Sequence, residues 1–371
     1  MIEKLRDPIE DQLQRPLRDL RVSVTDRCNF RCVYCMPREV FGPGYRFVPR
    51  SELLRLEEIS RIVRVFAEQG VRKIRITGGE PLIRRDLERL VEMIAAIEGI
   101  EDISMTTNAS MLTRERARSL HAAGLKRINI SLDALDQPTF QRINDVEFPV
   151  GRVLQGIEHA QAVGFNRVKI NAVIRRGFNE HSILQLAGHF RGSGAILRFI
   201  EFMDVGSTNR WQLDEVVSAR QMADIIHAEF PIVLVSPNYR GEVAKRWRYL
   251  DGAGEVGFIA SVTEPFCGDC TRARLSTDGQ LVTCLFAAGG KDLKSPMRSG
   301  ASDAELLDLI TGIWSSRKDR YSELRAFQAG RDPSDVVDSD SAARTTGAPI
   351  PDGIKNLRRK KSKIEMYQIG G

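Results

Sequence analysis

Apolar positions along this chain recur in two periods that hand over to each other again and again. Across 52–69, Leu53, Leu56, Ile59, Val63 and Phe66 fall three or four positions apart, the spacing of one buried helix face. Ser51 stands before this run as a candidate N-cap and Gly70 after it as a candidate C-cap. Residues 73–77 then alternate apolar and polar side chains, which predicts a strand. The same exchange predicts helices over 87–97, 114–123, 153–163 and 182–190, with glycine stops at Gly99, Gly124, Gly164 and Gly192. Strands are predicted over 20–24, 103–107, 127–132, 167–174 and 196–203, while 1–19 carries no period and reads as an irregular arm.

Repeated strand–helix pairs argue for parallel strands joined by right-handed crossovers. Six such units fall short of the eight of a closed barrel, and the pattern alone leaves a doubly wound open sheet as the alternative. Beyond Met203 the character changes. A helix over 219–229 precedes short strand-like pieces at 232–235, 246–250, 256–260, 272–276 and 280–283, and one or two helices fill 304–328. The stretch 331–351 is polar with three prolines, a composition that disfavours a packed core and reads as a linker. The predicted organisation is therefore an arm (1–19), a barrel (20–218), a C-terminal domain (219–330) and a polar linker with its tail (331–371).

Composition narrows the setting. A chain of 371 residues with 42% hydrophobic and 28% charged content is that of an ordinary folded protein, and no apolar run is long enough for a membrane span. The first residues mix Glu3, Asp7, Glu10 and Asp11 with basic ones and lack an apolar core, so no secretory signal is expected. A cytoplasmic setting follows, in which six cysteines are not structural disulfides. Net charge is +6, with 43 arginines against 12 lysines; guanidinium groups suit phosphate recognition. The basic residues are dispersed except for Arg358, Arg359, Lys360, Lys361 and Lys363, a run that reads as a solvated face. No nucleic-acid partner is expected.

The chemistry lies in the cysteines. Cys28, Cys32 and Cys35 fall within eight residues, with Tyr34 before the last and no histidine nearby. A structural zinc site is normally closed by four ligands, whereas three thiolates suit a cubane iron–sulfur cluster with one iron left open. A second group, Cys267, Cys270 and Cys284, is again three. Soft thiolates accept zinc or iron, so a zinc knuckle completed elsewhere stays open there. Arg272 and Arg274 share one strand face immediately after Cys270. Arg21, Arg75 and Lys169 sit on the first, second and fifth strands; an inward cation there is costly unless it meets an anion. Gly78-Gly79-Glu80-Pro81, Asn108, Asp133 and Asp204 follow strand ends, where barrels carry their active sites.

The first cysteine group with its aromatic resembles the signature of the radical S-adenosylmethionine (SAM) superfamily. Joined to Phe266-Cys267-Gly268-Asp269-Cys270-Thr271-Arg272, Cys284-Leu285-Phe286 and a closing Ile369-Gly370-Gly371, it resembles the GTP 3′,8-cyclase family, which opens molybdenum cofactor biosynthesis. The resemblance implies an α/β fold, a partial six-stranded (βα)6 TIM-like barrel with a C-terminal iron–sulfur subdomain. It implies two [4Fe–4S] clusters, one on each cysteine group, and SAM contacts from Tyr34, Gly79, Ser131 and Met203. GTP contacts are implied for Arg21, Arg75, Thr107, Lys169, Arg272, Ala273 and Arg274, and catalytic parts for Arg21, Arg272, Arg274, Gly370 and Gly371. The implied reaction takes hydrogen from ribose C3′ with a 5′-deoxyadenosyl radical and joins C3′ to guanine C8, giving 3′,8-cyclo-7,8-dihydro-GTP. Implied partners are a flavodoxin- or ferredoxin-type reductant and a cyclic pyranopterin monophosphate synthase downstream, with the chain a monomer or homodimer. The five histidines fall on predicted helices and have no part in this chemistry. One departure stands out: Ala109 follows Asn108 where the family has glycine, and alanine is costly if that position is left-handed. Rival readings are a peptide-modifying radical SAM maturase with an auxiliary cluster and a non-enzymatic, zinc-stabilised binding protein.

Overall fold

Strands β1 (Asp19–Ser23), β2 (Lys73–Thr77), β3 (Asp102–Thr107), β4 (Arg127–Ser131), β5 (Lys169–Ile174) and β6 (Ile196–Glu201) alternate with helices in the computed structural model. The helices are α1 (Leu56–Glu68), α2 (Leu87–Ala95), α3 (Arg114–Ala122), α4 (Gln137–Asn144), α5 (Val150–Ala162) and α6 (Ser182–Phe190). The chain continues through α7 (Ala219–Glu229), β7 (Ile232–Val235), β8 (Lys245–Tyr249), β9 (Glu255–Ile259), β10 (Arg272–Leu275), β11 (Gln280–Val282) and β12 (Lys291–Asp292). Four helices follow: α8 (Lys294–Arg298), α9 (Asp303–Ser315), α10 (Tyr321–Gln328) and α11 (Met366–Ile369). The structure describes residues 8–165, 167–239, 241–328 and 363–370. The stretch expected as a linker (331–351), the basic residues 358–361 and Gly371 lie outside them.

Strands β1 to β6 lie side by side in chain order, all parallel. A doubly wound sheet would reverse its strand order at a switch point; this one does not. The later strands join the same sheet: β10 pairs with β1 and β9 with β6, both parallel. Antiparallel strands β11 and β12 extend one flank, β8 and β7 the other. Eight parallel strands are thus in line, yet β9 and β10 do not pair among the described residues, and the barrel stays open on that side.

The hydrophobic period explains which faces are buried. In β1, Leu20 and Val22 enter the layer between sheet and helices, where α1 presents Ile59, Ile62, Val63 and Phe66. Two local expectations change. Helix α1 starts at Leu56, with Arg55 at the N-cap and the Glu58 carboxylate accepting from the Arg55 amide at 2.8 Å, so Ser51 is not its cap. Helix α4 was invisible to periodicity because only Phe140 and Ile143 are apolar in it; Asp136 caps it, accepting from the Thr139 amide at 2.9 Å. The segment before β1 is irregular, as expected, but Asp11, Arg15 and Leu17 are buried rather than forming a loose arm. No helix among the described residues is long and apolar enough to cross a membrane.

Candidate active site

The first cysteine group occupies the loop leaving β1. Turns within the loop, Cys35 and Met36 amides donating to the Cys32 carbonyl at 2.9 and 2.8 Å, bend it back on itself. The Arg31 and Val33 amides donate to Asn144 and Ile143 at the end of α4. Gly79 lies against this loop so closely that a Cβ would come within 2.3 Å of the Arg27 carbonyl oxygen. Glycine is required there because backbone fills the space a side chain would need. Burial, then the charge on Glu80, pushes the Cys28 thiol up to about 12. Burial and the neighbouring thiols raise Cys32 and Cys35 as well. Three thiols all raised in this way resist ionising together without added positive charge, which bound iron would supply. Among the described residues no three such ligands close on a single metal ion. A cubane holds its thiolates on separate irons and so wider apart than the ligands of one zinc ion, which fits this set better.

Tyr34 donates to Asp133 at 2.7 Å; burial raises that carboxyl to about 6 even with the Tyr34 and Val173 hydrogen bonds opposing it. Tyr34 and Gly79 sit by the cysteine loop, Ser131 ends β4, and Met203, two residues beyond β6, reaches the large cavity described next. Glu80 is fully buried and accepts from Leu82, Thr107 and Asn108 at 3.0, 2.6 and 2.7 Å.

The second cysteine group lines that cavity. Cys267 and Cys270 flank a single helical turn before β10, and the β10–β11 hairpin brings Cys284 back beside them. Burial alone would push the Cys270 thiol up, but Arg272, 3.4 Å from its Sγ, and Arg317 pull it down to about 6. Burial and Asp319 hold Cys284 up at about 12.

Strand register stacks cations on the same cavity wall. Arg274 on β10 pairs with Arg21 on β1, Arg21 with Arg75 on β2, Arg75 with Ser104 on β3, and Ser104 with Arg127 on β4. Like charges directly opposite each other oppose pairing. Burial and then the other arginines hold Arg21 well below the ordinary arginine value. Burial and Arg198, Arg127 and Arg75 bring Lys169 down to about 7. The carboxylates on the wall are engaged elsewhere: Asp19 with Thr271 at 2.6 Å, Glu255 with Arg246 at 2.7 Å, Glu242 with the Asn238 amide at 2.7 Å and Asp319 with Arg317 at 3.0 Å. The side chains of Arg21 and Lys169 make no hydrogen bond or ion pair among the described residues. Such a cavity suits a polyanion.

Comparison with known proteins gives the family. The chain is 52% identical over 371 residues to the GTP 3′,8-cyclase of Acidothermus cellulolyticus, covering 99% of this chain and 100% of that one. The chain belongs to the GTP 3′,8-cyclase family. A second relative of that name, from Staphylococcus epidermidis, is 48% identical over 368 residues (99% and 100% covered), and one from Xanthomonas axonopodis is 51% identical over 319 residues (86% and 94%). The radical SAM superfamily pattern matches residues 22–189 and the pattern called Molybdenum Cofactor Synthesis C matches 195–323. Among solved structures, Streptococcus suis SuiB bound to S-adenosylmethionine shares the fold, with a TM-score of 0.56 at 16% identity over 84% of this chain and 70% of that one.

For this family member, Arg21, Arg75, Lys169, Arg272 and Arg274 converge on one cavity. Two expected contacts do not. Thr107 turns to the Glu80 side of β3, and it is Thr106 that alternates onto the face of Ser104, its hydroxyl buried with no partner. Ala273 points its side chain into the hydrophobic core, opposite its two arginine neighbours. Sequence reasoning missed Arg127 and Arg198, which line the cavity as well. Arg198 donates to Asn171 and Asn129 at 3.0 and 2.7 Å; the signal was a basic residue at an inward strand position, Arg198 matching Asn171 in register. No histidine lines the cavity.

The C-terminal tail returns to the same place. Lys363, taken in the sequence for part of a solvated run, donates to Asp204 at 2.7 Å, and Glu365 accepts from the Ser207 amide at 2.9 Å. Tyr367 and Ile369 are buried, the Tyr367 hydroxyl lying 2.6 Å from that of Tyr45. Gly370 has φ 72° and a Cβ there would fall 2.0 Å from Thr77 Cγ2, while its carbonyl accepts from Arg274 Nε at 3.4 Å.

Proposed function

We propose that this chain is the enzyme that converts GTP to 3′,8-cyclo-7,8-dihydro-GTP, the first step of molybdenum cofactor biosynthesis, in the cavity beneath its second cysteine group. One observation carries the reading: arginines in register on one cavity wall, whose neighbouring carboxylates are already engaged, adjoin the three thiols of the second cysteine group. Cys28, Cys32 and Cys35 hold one [4Fe–4S] cluster and Cys267, Cys270 and Cys284 a second, with SAM beside Tyr34, Gly79, Ser131 and Met203. When bound, these groups supply the one-electron chemistry; the protein supplies position, dryness and charge neutralisation.

Arg21, Arg75, Lys169 and Arg198 take the triphosphate, exchanging mutual repulsion for charge-assisted hydrogen bonds. Arg272 and Arg274 hold the nucleotide against the second cysteine group, and the Gly370 carbonyl orients Arg274 from behind. The tail packs Tyr367 over the first cysteine loop and keeps water out of the reacting end. Within this reading, 20–218 carries the SAM half of the site, 219–330 the substrate-cluster half, and the tail joins them. Six free thiols suit a reducing cytoplasm. A flavodoxin- or ferredoxin-type protein delivers the electrons and a cyclic pyranopterin monophosphate synthase takes the product.

Anaerobic incubation with SAM, dithionite and GTP should yield 5′-deoxyadenosine and the cyclised nucleotide together, from protein carrying about eight irons per chain. Zinc in place of iron, or SAM cleavage that leaves GTP unchanged, would overturn the proposal.

A further inference from the structure

The segment preceding β1 has no place in the chemistry above, yet it holds two of the most deeply buried charged side chains of the molecule. Asp11 and Arg15 have side chains 0% and 1% exposed, and Arg15 Nε lies 2.6 Å from Asp11 Oδ2. Side chains of this kind are seldom buried without a structural demand. The partners identify the demand. Arg15 Nη1 donates to the carbonyl of Cys267 at 2.9 Å and to the carbonyl of Asp319 at 2.9 Å. Arg317, its side chain also 1% exposed, donates from Nη1 to the carbonyl of Cys270 at 2.8 Å and reaches Asp11 Oδ2 at 3.4 Å. The Asp319 carboxylate accepts from Arg317 and, at 3.0 Å, from the hydroxyl of Thr283, the residue before Cys284.

Each cysteine of the second group is therefore tied, through its own carbonyl or its neighbour's hydroxyl, to one network of two arginines and two aspartates, of which only Asp319 is partly exposed. The network is fixed in turn by the Trp314 indole, which donates to the Arg15 carbonyl at 3.1 Å and lies 4.5 Å beneath the Arg317 guanidinium. The planar guanidinium of arginine suits this task, since Nε of Arg15 holds Asp11 while Nη1 serves both carbonyls.

We infer that Asp11, Arg15, Arg317 and Asp319 form a clamp that pre-organises Cys267, Cys270 and Cys284 for cluster capture and retention, making the N-terminal segment a positioning element of the second cluster. The inference rests on the reading that these three cysteines hold a cluster. The first cysteine group takes no part in the clamp: its loop is held by α4 and by Arg31, which donates to the Cys28 carbonyl at 2.8 Å. It therefore serves as an internal control. Pre-arranged ligands lose less freedom when the metal arrives, so loss of the clamp should act on one cluster alone.

The test uses the full chain with Arg15→Gln, and Thr283→Val as a milder change at the far end of the network. In protein stripped of iron, alkylation of the six cysteines followed by mass spectrometry should show Cys267, Cys270 and Cys284 reacting roughly tenfold faster in Arg15→Gln, the loss of one or two hydrogen bonds to a charged group. Cys28, Cys32 and Cys35 should react at the wild-type rate. Reconstituted Arg15→Gln should fall from about eight toward about four irons per chain, and Thr283→Val should move in the same direction by less. Unchanged alkylation in both variants, or loss of both clusters in equal measure with a lowered thermal midpoint, would overturn the clamp. Wild-type protein carrying only four irons would instead overturn the two-cluster reading, and the contrast between the two sets of thiols in iron-free protein would still decide the clamp.

Discussion

The two cysteine groups are built from the same ligand count and differ in the charges that face them. Around Cys28, Cys32 and Cys35 burial dominates, the nearest charges on Cys28 include Glu80, and the thiols are pushed upward. In the second group burial likewise raises Cys267 and Cys284, but beside Cys270 the charges of Arg272 and Arg317 outweigh burial and pull the thiol down to about 6. The first group faces its own loop and the end of α4; the second faces a wall of arginines in register. The contrast separates two tasks. A buried site where Glu80 outweighs the single Arg31 favours giving an electron away, because negative charge is poorly stabilised there. A site ringed by guanidinium groups favours holding an anion.

The sharpest way to break this contrast is to remove one ligand from each side. Cys28→Ala should bring 5′-deoxyadenosine formation to background. Cys284→Ser should keep uncoupled SAM cleavage while losing the cyclised nucleotide, both measured by chromatography of the anaerobic reaction. Equal loss of both activities in Cys284→Ser, with the first cluster intact by electron paramagnetic resonance, would erase the distinction.

The cation wall is tested next. Arg21→Met keeps the stem and removes the charge, so GTP affinity should fall roughly 10- to 100-fold, the range of one or more charge-assisted hydrogen bonds. Its thermal midpoint without GTP should rise, because Arg21 is buried against Arg274, Arg75 and Arg272 with only Asp19 opposing. A variant that loses affinity and stability together would mean that the wall is a scaffold rather than an anion site.

A smaller effect lies in the pH dependence of the same wall. Lys169 titrates near 7 in the free protein, below the ordinary lysine value, because of burial and the neighbouring arginines. Between about pH 7 and about 10 the unfolded chain therefore binds more protons at this residue. The GTP-free protein should gain stability from Lys169 as pH rises through that window. GTP favours the charged amine, so its binding should take up a proton above pH 7 and weaken as pH climbs. Calorimetry at pH 8 in buffers of different ionisation enthalpy should show this uptake, and Lys169→Met should abolish it while leaving the triphosphate's own titration.

The smallest expected change sharpens the first region. Ala109 has φ 56° and is buried, following Asn108, whose amide nitrogen lies 3.9 Å from Cys28 Sγ. A left-handed alanine costs roughly 1 kcal/mol against glycine. Ala109→Gly should raise stability by about that amount in denaturant unfolding and leave GTP binding untouched.

Much of this was legible in the sequence. The order of six strand–helix pairs, both cysteine groups and the shared face of Arg272 and Arg274 followed from local spacing and alternation, while Arg21, Arg75 and Lys169 were singled out by the family resemblance. The alanine at 109 was legible as a departure from the family's glycine, and the structure gives it the left-handed φ of 56° that makes it costly. What was missed depends on partners distant in the chain. Alternation is local, but the phase that makes Thr106 rather than Thr107 face inward is set by pairing with β2 and β4. Arg127 and Arg198 looked like any other arginine until strand register placed them on the cavity wall.

The sequence by itself determined which segments become strands and helices and which ligands are available, because the hydrophobic period and thiol spacing act within a few residues. Only the tertiary structure decided that β9 and β10 flank the six strands and that Arg274, Arg21 and Arg75 lie abreast. It also decided that Arg15 grips a cysteine carbonyl 252 positions away. The physical reason is common to all three. A buried charge is stable only beside its partners, and those partners are chosen by strand pairing and chain return, which no window of neighbouring residues contains.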